Sequence, residues 1–116
     1  MKFLFIIFFI FITFSIIYYN HKYNILYLSK SNIHGIGVFT KKDFNINDFI
    51  FTGIKHREIT HFGSKINHSW NPNTYLKKIN NNYNIYAKTH IKKNNELTID
   101  YRYTPDFIQK PLHTYR

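Results

Sequence analysis

Phe3 to Tyr19 is an unbroken apolar and aromatic run, relieved only by Thr13 and Ser15. No polar positions recur in it at helical spacing, so it lacks the solvent-facing side of a core helix. Its seventeen residues sit at the lower limit for crossing a bilayer, since ~20 apolar residues span the hydrocarbon. The run is therefore set apart from the folding problem, and fewer than a hundred of the 116 residues remain for a fold. That allows one small domain. A domain of this size buries only ~60% of the surface its unfolded chain exposes, so its stability is marginal.

Two identities fit the run. A retained anchor is favoured over a cleaved signal segment, because no small-x-small pattern follows it and the paired Tyr18-Tyr19 suit a membrane interface. Only Lys2 precedes the run, whereas Lys22, Lys30, Lys41 and Lys42 follow it. Positive-inside counting then predicts a single-pass, membrane-anchored chain whose carboxyl-terminal domain faces the cytosol. The resulting division is 1–23 as anchor or signal segment, 24–108 as the domain and 109–116 as a tail.

The chain has no cysteine, which excludes disulfides, thiolate zinc sites and cysteine nucleophiles together. Packing must supply the stability, and an aromatic content of 20% provides bulky material for it. The net charge of +10 would ordinarily direct attention to a polyanion. Here Ile, Asn, Lys, Phe and Tyr crowd the whole chain and Ala87 is its single alanine, so the charge follows a general compositional bias. Nucleic acid is not an expected partner, because aromatics do not interleave with the basic turns as a stacking platform requires. His56, His61 and His68 match no zinc spacing and read as surface histidines, so no metal is expected.

From residue 24 onward, short apolar stretches are broken every eight to twelve residues by Asn, Gly, Asp or Pro, the texture of a mainly β domain. Strands are predicted at Ile25–Leu28, Gly37–Phe39, Phe49–Gly53, Thr74–Lys78, Asn84–Ala87 and Leu97–Ile99. Turns are predicted at 45–48, 71–73, 80–82 and 92–95, because Asn and Asp tolerate a left-handed backbone and bond their own main chain.

Three segments carry chemistry. In Ser31 to Phe39, Gly35 and Gly37 flank Ile36 just before a β-branched and aromatic pair, which suits a backbone that turns tightly and approaches a ligand. With no third glycine and no following helix, it is not a dinucleotide fingerprint. Asn67-His68-Ser69-Trp70-Asn71-Pro72-Asn73 sets hydrogen-bonding side chains against a proline-fixed turn. Its first three residues also form a glycosylation sequon, which a cytosolic domain would not use. Glu96-Leu97-Thr98-Ile99-Asp100-Tyr101 alternates apolar and polar as a strand does. Each segment alone reads equally as an ordinary turn, loop or edge strand.

In this order and together, the three segments resemble the SET-domain family of protein lysine methyltransferases. Its hallmarks are a Gly-x-Gly strand, an Asn-His-Ser-Cys-x-Pro-Asn loop and a Gly-Glu-Glu-Leu-Thr-x-Asp-Tyr segment. Ile85 to Ile91 is also similar to the strand and turn before the last motif, so the resemblance runs from about Ile25 to Phe107. It implies a β-clip-like fold of small sheets with a threaded carboxyl-terminal segment. It implies methyl transfer from S-adenosylmethionine to the ε-amine of a lysine in a protein substrate. Carried over, Gly35, Ile36, Gly37, Asn67, His68 and Tyr101 would contact the cofactor, with Tyr101 the catalytic tyrosine. Tyr86, Tyr103 and Phe107 are candidates to line the lysine channel.

The pattern departs from the family at several places. Trp70 stands where the family has a zinc-binding cysteine, Lys65 where an aromatic is usual, and Asn94-Asn95 where Gly-Glu is usual. The stretch from Phe51 to Ile66 is too short for the insert that walls the substrate groove in larger members. These departures leave open a non-catalytic SET-like module that binds a peptide or tethers a partner, and a homodimer as its assembly.

Overall fold

A computed structural model describes residues 2–23 and 25–113, the side chains of 18–23 excepted. Helix α1 spans Lys2–Tyr23, and its side chains from Lys2 to Ile17 are all exposed. The Thr13 and Ser15 hydroxyls donate to the Phe9 and Phe11 carbonyls one turn back, at 2.9 and 3.0 Å. The Thr13 and Ser15 hydroxyls are thus satisfied within the helix. Among the described residues, however, no helix is long and apolar enough to cross a membrane. The spanning-helix expectation is corrected accordingly: seventeen apolar residues rise only about 25 Å, short of a hydrocarbon core of roughly 30 Å.

The rest is two four-stranded sheets. The first contains β1 (Leu26–Lys30), β2 (Ile36–Thr40), β8 (Glu96–Ile99) and β5 (Asn67–His68), in that spatial order. The second has the order β4 (Glu58–Ile59), β3 (Phe49–Lys55), β7 (Asn82–Ala87), β6 (Thr74–Ile79). Their shared core is Leu26, Val38, Phe44, Ile50, Ile66, Ile85, Ala87, Ile91, Leu97 and Ile99. Alternation sets the faces in the second sheet. Leu76 pairs with Ile85 toward the core, while Tyr75 pairs with Tyr86 on the opposite side. There the two tyrosine rings stack at 5.6 Å, and Phe49 meets Tyr86 edge-on at 5.8 Å.

All six predicted strands form, each within a few residues of its expected bounds, and the turns follow the predicted mechanism. Asn47, Asn80 and Asn94 have φ of 72°, 56° and 71°, the left-handed backbone that asparagine tolerates. The two-residue strands β4 and β5 were not anticipated. β5 matters most, because it runs parallel to β8 with Asn67 opposite Thr98 and His68 opposite Ile99. β8 therefore lies between β2 and β5 and brings the second and third sequence motifs side by side.

Asn73 fastens this junction. Its side-chain amide donates to the Glu96 carbonyl at 2.8 Å and accepts from the Thr98 amide at 2.9 Å, so one side chain acts as a further strand for β8. Thr74, fully buried, donates its hydroxyl to the Thr98 carbonyl at 2.6 Å.

Candidate active site

The three motifs converge on one node. Gly37 packs so closely that a Cβ there would lie 2.0 Å from Glu96 Oε1 and 3.2 Å from Asn67 Nδ2. The Glu96 carboxylate accepts from Ser31 Oγ at 2.9 Å and from Asn67 Nδ2 at 2.9 Å, and Asn67 also donates to the His34 carbonyl at 3.0 Å. One carboxylate thus joins the glycine loop, β5 and β8. Gly35 has a φ of 49° and open space where its Cβ would be. Ile36 beside it is 54% exposed. The loop is therefore tight on the Gly37 side and accessible on the Gly35 side.

His68 is buried, which corrects the expectation that it lies on the surface. Its Nδ1 accepts the Tyr101 backbone N–H at 3.0 Å, so that nitrogen carries no proton and the ring is held neutral. Burial pushes its pKa below the ordinary histidine value, outweighing the upward pull of Asp100. The 3.9 Å approach to Asp100 is accordingly no ion pair. The carboxyl of Asp100 is committed elsewhere. It accepts from Arg102 Nε at 3.0 Å and from its terminal nitrogen at 2.6 Å, and these bonds hold its pKa below the usual carboxylate range. Asp100 also caps the 3-10 turn Tyr101–Tyr103 by accepting the Arg102 backbone N–H.

Tyr101 joins this node to a cavity. Its ring lies 5.1 Å from that of His68, and its hydroxyl donates to the Ile66 carbonyl at 2.6 Å. The cavity it helps line has a volume of about 170 Å³ and is walled mainly by aliphatic groups, among them Ile54, Ile59, Ile66, Leu76 and Ile85. Thr104, Ile108 and Gln109 of the carboxyl-terminal segment close one side. The residues proposed for a lysine channel do not meet here. Tyr86 faces the other side of its sheet, Tyr103 is 72% exposed beneath Arg102, and Phe107 lies under Arg57 at 5.8 Å. Sequence reasoning looked for aromatic walls and missed the aliphatic ones. The strand alternation that separates Leu76 and Ile85 from Tyr75 and Tyr86 was the available signal. Glu96 was also missed as a joining group, being read only as the start of a strand.

Trp70 occupies the position of the family cysteine with packing of a different kind. Its ring meets His68 edge-on at 4.4 Å, and the Arg102 guanidinium lies over it at 4.9 Å. Among the described residues, no group of three or more His, Cys, Asp or Glu side chains could hold a metal.

A glycine loop open on one side, a neutral histidine beside a tyrosine, and an aliphatic cavity beyond that tyrosine define a class: a small β domain with a candidate site centred on one tyrosine. A family model for the SET domain matches residues 54–102. The histone-lysine N-methyltransferase EZ2 of Zea mays is 33% identical over 68% of this chain, and EZ1 of Oryza sativa subsp. japonica is 34% identical over the same share. The chain spans only 13% of the length of these relatives. The crystal structure of a Plasmodium falciparum protein described as a histone methyltransferase superposes with a TM-score of 0.57 at 26% identity, covering 68% of this chain and 94% of that one. The chain carries a SET domain, the domain that it shares with these methyltransferases.

Proposed function

We propose that this domain transfers a methyl group from S-adenosylmethionine to the ε-amine of a lysine in a protein substrate. One observation carries the reading: Tyr101 stands between the Gly35–Gly37/Asn67–His68 node and an aliphatic cavity, with its hydroxyl fixed on the Ile66 carbonyl at 2.6 Å. The relatives named as histone-lysine N-methyltransferases support the same reaction class.

The node fits the cofactor. Gly35 has an open face, Ile36 is exposed, buried Asn67 bonds to the same loop and buried His68 follows it in β5, so Gly35, Ile36, Gly37, Asn67 and His68 would hold it. When bound, S-adenosylmethionine supplies an electrophilic methyl group. The chain's own residues would prepare the amine. A lysine with a pKa near 10.4 in water enters the cavity more readily as the neutral amine, because aliphatic walls cannot solvate an ammonium. The Tyr101 hydroxyl donates its hydrogen bond to the Ile66 carbonyl, and its oxygen would accept an amine N–H and so orient the amine while the nitrogen lone pair stays available. What remains is alignment of two partners, which is where most of the rate gain in such a displacement arises.

The test is incubation of the full chain with tritiated S-adenosylmethionine and a mixed protein extract. Label should appear on lysine, and Tyr101→Phe should lower it by at least about a hundredfold while leaving cofactor binding by calorimetry intact. Cofactor binding without any label would refute methyl transfer and favour a peptide-binding module.

A further inference from the structure

A second concavity lies on the other side of the carboxyl-terminal segment. It has a volume of about 450 Å³ and is lined by His56, Arg57, Lys78, Tyr83 and Phe107, among others. Two neighbouring hairpins build it. The β3–β4 tip contributes His56 and Arg57, and the β6–β7 ribbon contributes Lys78 and Tyr83, which face each other across the ladder. Phe107 comes from the same 104–109 segment that closes the Tyr101 cavity.

The backbone here is costly to hold. Ile54–Ile59 and Lys55–Glu58 are the pairs flanking a two-residue loop, whose members His56 and Arg57 have φ of 50° and 68°. A hairpin loop with positive φ at both positions strongly prefers Asn-Gly or Gly-Gly, and side chains held there store strain that often marks a functional site. The other left-handed non-glycine residues of the described chain are all asparagine. The strained pair instead carries an imidazole and a guanidinium to the pocket edge, with Asn82 bracing the loop by accepting the His56 N–H at 3.2 Å. Arg57 spreads over the Phe107 ring at 5.8 Å. Glu58 and Asp106, the nearest acidic residues in sequence, do not line the pocket. Among the described residues neither pairs with Arg57 or Lys78.

We propose that this pocket is a specificity subsite that takes an anionic side chain of the protein substrate, an aspartate or glutamate carboxylate or a phosphorylated residue, carried on the same peptide as the target lysine. The inference rests on the methyl-transfer reading for the identity of the peptide. The shared wall at 104–109 carries the connection, because a peptide delivering a lysine beside Tyr101 passes the segment that presents Phe107. Arg57 and Lys78 supply charge-assisted donors, and Tyr83 adds a neutral one. A nucleic acid fits less well. It gains affinity from many phosphates in a row, whereas this is one pocket with its aromatic face already covered by Arg57.

Binding is the measurement, read separately from turnover. Fluorescein-labelled Ala/Gly peptides with one central lysine are titrated with the full chain, a single glutamate, phosphoserine or glutamine being walked through the flanking positions. At one spacing, the glutamate or phosphoserine peptide should bind about tenfold more tightly than its glutamine counterpart. If only phosphoserine gains, the anion is a phosphate; if both gain, a carboxylate suffices. Arg57→Gln with Lys78→Gln should remove the difference and leave the glutamine peptide unchanged. Arg57→Gly is the control for misfolding: it relieves the left-handed backbone, should melt no lower than the native chain, and should still lose most of the preference. The proposal is overturned if no spacing discriminates, if the double variant keeps the preference, or if an oligothymidylate binds more tightly than every anionic peptide. Acid preference without methyl transfer would refute the reaction and leave the pocket assignment standing. Methyl transfer without acid preference would do the reverse.

Discussion

Gly37→Ala tests whether the node where the three motifs meet is held by the Glu96 carboxylate. The added Cβ would lie 2.0 Å from Glu96 Oε1 and 2.8 Å from its Cδ, so one of the two must move. Gly37 is fixed in β2 between β1 and β8, whereas Glu96 Oε1 is the end of a flexible side chain, so the carboxylate yields. In leaving, it gives up the bonds from Ser31 Oγ and Asn67 Nδ2, both 2.9 Å. Each hydrogen bond to a charged group contributes about 1.5 kcal/mol at the low end suited to a half-buried site. The two sum to about 3 kcal/mol. Replacing glycine in a strand returns roughly 0.5–1 kcal/mol by reducing the freedom of the unfolded chain. The net loss is about 2 kcal/mol, equivalent to a fall in Tm of roughly 8–16 °C for a domain of this size. A double-mutant cycle isolates the cause. In a Glu96→Ala background there is no carboxylate to displace, and Gly37→Ala should cost less than about 0.5 kcal/mol. Urea titrations of the four proteins give the numbers, and an equal loss in both backgrounds would refute the reasoning by placing the cost in the backbone of β2.

Leu97→Ala removes a side chain with no exposed surface at the centre of the core, and urea titration should register a loss of about 3–5 kcal/mol. pH acts through His68. Its folded pKa is depressed by burial, so the unfolded chain binds the extra proton, and stability is full above about pH 6.5 and falls as pH drops below that value. Thermal melts at pH 7.5 and 5.5 should differ, and His68→Gln should remove most of that difference. Asp100, depressed by its Arg102 hydrogen bonds, contributes stability that is present above its unfolded value and is lost only below about pH 4. Its contribution is therefore separable from that of His68 in the same titration.

The predictable parts of the fold are those set by local chemistry. Short apolar stretches bounded by turn residues located the six main strands, and the asparagine turns were legible because the side chain itself stabilises the left-handed backbone seen at Asn47, Asn80 and Asn94. β5 was not legible: two residues carry no periodicity, and Asn67–His68 becomes a strand only by pairing with β8 some thirty residues later. The motifs named the residues that meet at Glu96, yet the reason for Gly37 was not legible. Sequence suggested a ligand's approach, and the structure places Glu96 against that glycine. The sequon at Asn67 resolves on similar grounds, since its side-chain nitrogen is bonded to His34 and Glu96 and the residue is buried.

The short stretch from Phe51 to Ile66, too brief for the insert of larger relatives, still walls the cavity. Ile54 at the end of β3, Ile59 in β4, and Gly63, Ser64 and Ile66 in the following turn all line it. A hairpin and a turn deliver them because Thr60 ties the loop back on β3. Its backbone N–H donates to the Gly53 carbonyl at 3.0 Å, and its hydroxyl donates to the Thr52 carbonyl at 2.8 Å. The carboxyl-terminal wall, formed by Thr104, Ile108 and Gln109, is held by contacts of neighbouring residues. At the position of the cysteine in the family pattern, Asp100 locks Arg102, and Arg102 covers Trp70. Thr104 caps the turn through the Tyr101 carbonyl, and the Lys110 ammonium donates to the Thr104 carbonyl. The tail beside Tyr101 is thus held by a half-exposed guanidinium on a buried carboxylate, by ring contacts and by the exposed Lys110 bond. High salt, which weakens exposed ionic contacts, should therefore loosen the carboxyl-terminal segment before the sheets. Hydrogen exchange in 1 M salt would detect this as faster exchange at 102–108 with β8 unchanged, and equal acceleration of both would show that the tail and the sheet open as one unit.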